Sequence, residues 1–158
     1  MIAWHHEQST PSSCVAACVC IVRRFRGEPI TPADQAADAT PRRAHLGTIR
    51  GLGRVSSIGD EPEIRIALAR GHIVVAQVLG HPYVSWLNAK HGALRSRHPP
   101  MCAPGNFDGP PHAVVIVGAD TNGLRILDPY FPANGQPLHM TYEDFQRCFG
   151  GLAYDVEP

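Results

Sequence analysis

The chain has no long hydrophobic run and no excess of charge of either sign. None of its apolar stretches approaches the roughly 20 residues that a membrane-spanning helix needs. Its 14 basic and 14 acidic residues give a formal net charge of zero, and the sequence shows no basic stripe of the kind that binds nucleic acids. We therefore expect no membrane span and no nucleic-acid partner.

Cysteines are few, and their spacing does not suit a disulfide framework. There are five, an odd number, and three of them are crowded into Cys14, Cys18 and Cys20, whereas small secreted chains pair distant cysteines. No Cys-x2-Cys or His-x3-His pair indicates a zinc site. The N-terminus lacks the basic and apolar regions of a signal peptide. We expect reduced thiols, a cytoplasmic location, and no metal or other cofactor.

The length of 158 residues fits a single domain spanning 1–158. Periodicity and capping signals predict helices over 14–25, 32–39, 61–70 and 142–148, and strands over 73–79, 113–117, 124–127 and 152–156. Residues 40–59 and 80–111 show weak periodicity and are expected to be loops, the second of them functional or disordered. Because helices precede most strands, the order predicts an α+β fold with an antiparallel sheet.

Cys14 is the most informative residue, because it stands at the predicted start of a helix. The positive end of the helix dipole favours the thiolate, which is the nucleophilic form of cysteine. Gln8 precedes it in the pattern Gln-x5-Cys. Its side-chain amide is able to donate a hydrogen bond to the oxyanion that forms when a thiolate attacks a carbonyl.

A predicted hairpin supplies a base for this thiol. Asn122-Gly123 is a strong hairpin signal, His112 opens the first strand, and Asp128 follows the second. Cross-strand neighbours have Cβ atoms roughly 5 Å apart, so we expect the carboxylate to contact the imidazole. Nucleophile, base and orienting acid are then all available, as in a thiol hydrolase.

These residues resemble the papain-like cysteine peptidases of the bacteriocin-processing type, which trim double-glycine leader peptides. That family has glutamine, five residues, and then Cys-Gly-x-Ala-Cys at the head of a helix; here Gln8 is followed by Cys14-Val15-Ala16-Ala17-Cys18. The family also has a histidine leading an apolar strand and, fifteen residues later, Asp-Pro, which here are His112 and Asp128-Pro129. The resemblance covers nearly the whole chain.

The resemblance implies a papain-like fold in which an N-terminal helix carrying the nucleophile packs on an antiparallel sheet. It implies that Cys14 is the nucleophile, that His112 is the general base and acid, and that Asp128 fixes the imidazole tautomer. Gln8 and the Cys14 backbone N–H would form the oxyanion hole. The expected activity is hydrolysis of a peptide or isopeptide bond in a peptide or protein substrate, through a thioester.

Two other functions stay open at this point. Phytochelatin synthase also resembles a papain fold with Gln-x5-Cys, so the thioester could be captured by an amine, or the site could deamidate. A degenerate peptidase domain that only binds peptides is the second, because Val15 stands where the family has glycine. The sequence indicates neither the cleavage-site specificity nor the oligomeric state.

The remaining cysteines, histidines and aromatic residues have simpler interpretations. Cys18 is expected to pack in the core. His5 and His6 are expected to be a solvated pair, and His91 is the one loop histidine that we consider as an alternative base. We expect Cys20, Cys102 and Cys148 to be structural or incidental, and His81 and His98 to be surface histidines. Two aromatic residues of the predicted loop either line a substrate groove or pack beneath the loop: Trp86 and Phe107.

Overall fold

One antiparallel sheet organises the structure. The computed structural model describes residues 2–101 and 111–158. Its strands are β1 (Val55–Ile58), β2 (Ile73–Val78), β3 (His112–Ala119), β4 (Gly123–Leu127), β5 (Leu138–Thr141) and β6 (Phe149–Val156). They are ordered β1-β6-β2-β3-β4-β5, and all neighbours are antiparallel. The expected antiparallel sheet is confirmed.

Helices cover both faces of this sheet. They are α1 (Cys14–Phe25), α2 (Pro32–Ala39), α3 (Glu61–Ala69), α4 (Gly80–Lys90) and α5 (Tyr142–Cys148), with 3-10 turns at Ile2–Trp4 and Leu46–Leu52. Within β3, Ala113 and Val115 pack with α1 in one buried cluster, while Val114 and Ile116 pack with α3, α4 and α5 in another. Burial on both faces explains why β3 is continuously apolar after His112 instead of alternating.

Local capping signals define the first helices as expected. Ser13 is the N-cap of α1, although its hydroxyl bonds Thr10 rather than the helix. In α2, Thr31 and Asp34 form a capping box in which each side chain accepts from the other's backbone N–H. The predictions for 14–25 and 32–39 are confirmed.

The expectation of a loop over 80–111 is wrong for its first third, which is helix α4. Tyr83, Trp86 and Leu87 lie at i, i+3 and i+4 and form its buried face. Gly80 and Pro82 obscure this pattern, yet proline is tolerated in the first turn of a helix, where its missing N–H leaves no bond unmade. Residues 102–110, which include Cys102 and Phe107, lie outside the described residues.

The expected loop over 40–59 also contains regular structure, the strand β1. This strand forms by pairing with β6. Val55 pairs with Val156 of β6, a residue about 100 positions away, and local periodicity carries no sign of such a partner. The strand β5 was likewise not predicted. The strand predicted over 152–156 begins three residues earlier, because β6 (Phe149–Val156) includes Gly150 and Gly151. Gly151 adopts φ +80° beside the register shift opposite β2, a conformation that favours glycine.

Within the described ranges, no helix combines the length and the apolar character that a bilayer crossing requires.

Helix α3 offers a matched test of the core. Ile64 is 0% exposed, whereas Ile66, two residues later, is 53% exposed. We expect Ile64→Ala to lower the free energy of unfolding by about 2–5 kcal/mol, because it removes buried methyl groups and leaves a cavity. Ile66→Ala should change it by less than about 0.5 kcal/mol. Urea denaturation followed by circular dichroism measures both, and equal losses would contradict the assigned faces of α3.

Candidate active site

Cys14 is the first residue of α1 and is partly exposed. The backbone N–H groups in the first turn of a helix have no partner within it, so the Cys14 N–H is free of an intrahelical bond. The thiol shares a cavity wall with the imidazole of His112 and with Ala113, and both of these residues act to lower its pKa. The sequence thus brings a thiol, a helix N-terminus and an imidazole to one point.

His112 and Asp128 are direct neighbours, as the hairpin spacing predicts. His112 Nε2 lies 2.7 Å from Asp128 Oδ1, with the imidazole at the start of β3 and the carboxylate just after β4. Both side chains are buried. Because Nε2 faces the carboxylate, the other ring nitrogen is left for the Cys14 thiol.

These contacts shift the pKa values of the three groups together. Burial acts to raise the pKa of Cys14, but the hydrogen bond and positive charge of His112 outweigh it, and the pKa is lowered. Burial acts to lower the pKa of His112, but Asp128 and Cys14 raise it to about 10. Burial opposes ionisation of Asp128, yet His112 and Tyr83 hold its pKa below the ordinary value. All three shifts favour a thiolate–imidazolium pair backed by a carboxylate.

The other described cysteines behave differently. Burial raises the pKa of Cys18, of Cys20 to about 12, and of Cys148 to about 11. All four cysteines in the described ranges are free of disulfides. Cys18 lies in the core as expected. Cys14 alone among these four has a lowered pKa, which is the property that a reactive thiol requires.

Tyr83 is a site residue that sequence reasoning missed. Its hydroxyl donates to Asp128 Oδ2 at 2.5 Å. The centroid of its ring lies 5.7 Å from the centroid of the His112 ring. The backbone N–H of Tyr130 donates to Asp128 Oδ1 at 2.9 Å, so both carboxylate oxygens have donors. Nothing in the sequence placed Tyr83 in the site, because the segment that forms α4 was expected to be a loop.

Gln136 fixes the backbone of Asp128. Its Oε1 accepts from the Asp128 N–H and its Nε2 donates to the Asp128 carbonyl, both at 2.7 Å. This paired contact orients the turn after β4. The carboxylate is therefore held through its backbone as well as through its side chain.

Gln8 is fully buried beside the nucleophile's helix. Its Nε2 donates one hydrogen to the Thr10 carbonyl at 2.8 Å. Since an amide carries two N–H donors, the second stays available. Its Oε1 is buried without a hydrogen-bond partner among the described residues.

Distant contacts anchor the backbone of Gln8. Its N–H donates to the Pro129 carbonyl at 2.7 Å, directly after Asp128. Its carbonyl accepts from Arg97 Nη2 at 2.8 Å and contacts His98 Nε2 at 2.9 Å. The segment that carries Gln8 is thus tied to the same turn that carries the carboxylate.

The buried carboxylate of Asp38 holds the residues on either side of Gln8. It contacts His6 Nε2 at 2.9 Å and accepts from the Ser9 hydroxyl at 2.6 Å and the Ser9 N–H at 3.1 Å. His5 is buried as well, with its Nε2 2.8 Å from the Phe131 carbonyl. The expectation that His5 and His6 form a solvated pair is wrong, because both rings serve as internal hydrogen-bonding groups.

His91, the alternative base, lies away from the thiol. It follows the last residue of α4, packs on Trp86 at 4.8 Å between ring centroids, and contacts the His139 carbonyl. His98 supports Gln8 rather than lying free on the surface, and His81 belongs to α4. Trp86 packs in the core. Among the described residues, no group of three His, Cys, Asp or Glu side chains could hold a metal ion.

Two small cavities lead to the thiol. One of about 170 Å³ and one of about 30 Å³ both include Cys14, His112 and Arg43 in their walls. A larger groove of about 570 Å³ runs between α4 and residues 91–101. Met101 lines both this groove and the smaller cavity, so the groove approaches the thiol from the α4 side.

Solved structures share this arrangement of elements. A Bacillus anthracis protein named a C39-like peptidase matches with a TM-score of 0.64 and 12% identity, over 100% of this chain and 96% of that chain. The peptidase domain of Streptococcus mutans ComA matches with a TM-score of 0.54 and 18% identity, over 97% and 98%. No protein-family model and no curated protein matches the sequence. The likeness is one of fold, and it confirms the predicted architecture: the chain has the papain-like α+β fold of the C39-like peptidases.

Proposed function

We propose that this protein is a cysteine peptidase in which Cys14 is the nucleophile. The observation that carries the proposal is that Cys14 and His112 line the same two cavities, while His112 Nε2 lies 2.7 Å from Asp128 Oδ1 on its other side. A nucleophile bonded to a base that is itself oriented by a third group is the arrangement that nucleophilic catalysis requires. The peptidase fold of the similar structures supports the same reaction class.

The reaction begins with the thiolate–imidazolium pair. The Cys14 sulfur attacks the scissile carbonyl carbon, and a tetrahedral oxyanion forms. When this collapses, the carbon–nitrogen bond breaks and His112 gives its proton to the leaving amine. Water then attacks the thioester, His112 accepts a proton from it, and the carbon–sulfur bond breaks to release the acid and restore the pair.

Gln8 and the backbone N–H of Cys14 are the proposed oxyanion hole. The free Cys14 N–H lies at the helix N-terminus, and the Gln8 amide retains one donor beyond the bond to Thr10. Both donors are fixed before substrate arrives, so little reorganisation is needed as charge develops. Asp128 keeps the imidazole in the orientation that presents its other nitrogen to the sulfur.

Val15 does not obstruct this site. Its side chain is buried in the core cluster on the α1 face of the sheet and lines the 170 Å³ cavity, and the contact between Cys14 and His112 is made beside it. The geometry therefore favours an active enzyme over a degenerate peptide-binding module. We also propose that the protein acts in the cytoplasm, where thiols are kept reduced.

Replacement of the nucleophile tests the proposal most directly. We expect Cys14→Ala to abolish both peptide hydrolysis and the rapid alkylation of this site by iodoacetamide, with the circular dichroism spectrum unchanged. Mass spectrometry of digests of a peptide library measures cleavage, and water-derived carboxylate ends separate hydrolysis from acyl transfer. Cys18→Ala is the control and should keep alkylation at Cys14. Undiminished cleavage by Cys14→Ala would rule out this nucleophile.

The lowered pKa of Cys14 predicts the pH dependence of its alkylation. The midpoint should lie below the roughly 8.5 of a free cysteine, because His112 stabilises the thiolate. In His112→Ala that stabilisation is lost while burial remains, so the pKa and the midpoint should both rise. His91→Ala should leave the midpoint unchanged. The rate of iodoacetamide labelling between pH 5 and 10, measured by peptide mapping, tests this prediction. A midpoint that moves only in His91→Ala would show that His91, and not His112, is the base that acts on Cys14.

Tyr83 is proposed as a positioning residue for Asp128. Tyr83→Phe removes the donor to Oδ2, and loss of a hydrogen bond to a buried charge costs about 1.5–3 kcal/mol. We expect kcat to fall about 10-fold with KM nearly unchanged. The acidic limb of the pH profile should move to higher pH, because the tyrosine hydroxyl lowers the pKa of Asp128.

The matched control for Tyr83 is Tyr142→Phe. It removes a tyrosine hydroxyl that donates to the Asp120 carbonyl, outside the site. Its kcat and pH profile should match those of the wild type. If both variants lose stability to the same extent and neither shifts the pH profile, Tyr83 has only a structural role.

A further inference from the structure

Arg43 lies at the mouth of the candidate active site. It lines both the 170 Å³ and the 30 Å³ cavities, and each of these includes Cys14 and His112 in its wall. The side chain is exposed, in the segment between α2 and the 3-10 turn at Leu46–Leu52. It is therefore a permanent positive charge beside the proposed nucleophile.

Arg43 also stands out because its guanidinium has no partner among the residues that the structure describes. No hydrogen bond, ion pair or ring contact joins its side chain to any residue in the described ranges. Most other arginines have such a partner: Arg23, Arg24, Arg26, Arg50, Arg54, Arg65, Arg95, Arg97, Arg125 and Arg147. Arg42 and Arg70 are exceptions too, but neither lines a cavity that reaches the thiol.

The described part of the two cavity walls contains no carboxylate that compensates the charge of Arg43. Among the described residues that line them, none is aspartate or glutamate. The carboxylate of Asp128 is fully buried and already accepts from His112, Tyr83 and Tyr130. Among the described residues of these walls, an anion that enters either cavity thus meets the guanidinium of Arg43 and no competing acid.

We propose that Arg43 binds a carboxylate of the substrate close to the scissile bond, and so makes the enzyme selective for acidic substrates. A guanidinium presents several N–H donors in a planar fork that matches a carboxylate. The carboxylate belongs to an Asp or Glu side chain next to the cleaved bond or to a nearby chain terminus. This inference rests on the proposed function, since it concerns the substrate of the same site.

Charged and neutral alkylating agents test the proposal without any peptide substrate. Iodoacetate and iodoacetamide react with the same sulfur, but only iodoacetate carries a carboxylate. Peptide mapping measures the rate constant of each reagent at Cys14. The rate constant for iodoacetate divided by that for iodoacetamide shows how strongly the charge of Arg43 attracts an anion to the sulfur. We expect Arg43→Gln to lower this ratio about threefold, the Coulomb factor for unit charges roughly 7 Å apart in water, and Arg43→Glu to lower it further.

Arg42→Gln is the matched control. It removes an equally exposed charge from the neighbouring residue, which lines neither cavity, so its ratio should stay close to that of the wild type. Added salt should reduce the difference between wild type and Arg43→Gln, because exposed charges are screened. If Arg42→Gln and Arg43→Gln lower the ratio equally, only the net charge matters and the subsite is absent.

Peptide cleavage then identifies the source of the carboxylate. Matched peptides carry Glu, Gln or Lys on either side of a cleaved bond, each with a free or an amidated C-terminus. Wild-type kcat/KM should favour one carboxylate position, and Arg43→Glu should reverse the order of Glu and Lys there. Equal kcat/KM for all peptides would overturn the inference, while failure of Cys14 to alkylate with either reagent would overturn the proposed function itself.

Discussion

The buried carboxylate of Asp128 is the constraint on which the rest of the site depends. An ion without solvent is tolerated only when its lone pairs have donors, and here those donors come from three different elements. His112 opens β3, Tyr83 lies on α4, and the N–H of Tyr130 belongs to the turn after β4. The requirement to satisfy one charge therefore fixes how a helix, a strand and a turn meet.

The same turn also positions the other half of the site. The carbonyl of Pro129 accepts from the N–H of Gln8, and the carbonyl of Phe131 contacts His5. The N-terminal segment is thereby held against the end of the hairpin, just ahead of the helix that begins at Cys14. Hydrogen bonds thus join Asp128 to His112 and, through Pro129, the same turn to Gln8, and all three residues lie in segments that meet near the start of α1.

The sequence reveals those parts of this arrangement that depend on local signals. The helix that begins at Cys14 and the Asn-Gly hairpin between His112 and Asp128 were predictable, because helical periodicity and tight turns are encoded in nearby residues. The strand β1 was not, since it depends on pairing with a distant segment. Tyr83 was not either: Gly80 and Pro82 hide the helix, and a tyrosine reveals nothing about its acceptor until the fold brings it to Asp128.

The charges of the groups proposed to catalyse the reaction are arranged differently from the charge of the residue proposed to select the substrate. Two of the groups proposed to act on the peptide bond, His112 and Asp128, are buried, and the carboxylate of Asp128 is compensated by its three donors. In such a site the charges already have partners of opposite charge or hydrogen-bond donors before substrate binds. Arg43 is not compensated by any described neighbour, and an exposed cation at the mouth of such a site gains most from an anion that arrives from outside. Selectivity is therefore expected to reside in this segment, while turnover depends on the hydrogen bonds around Asp128.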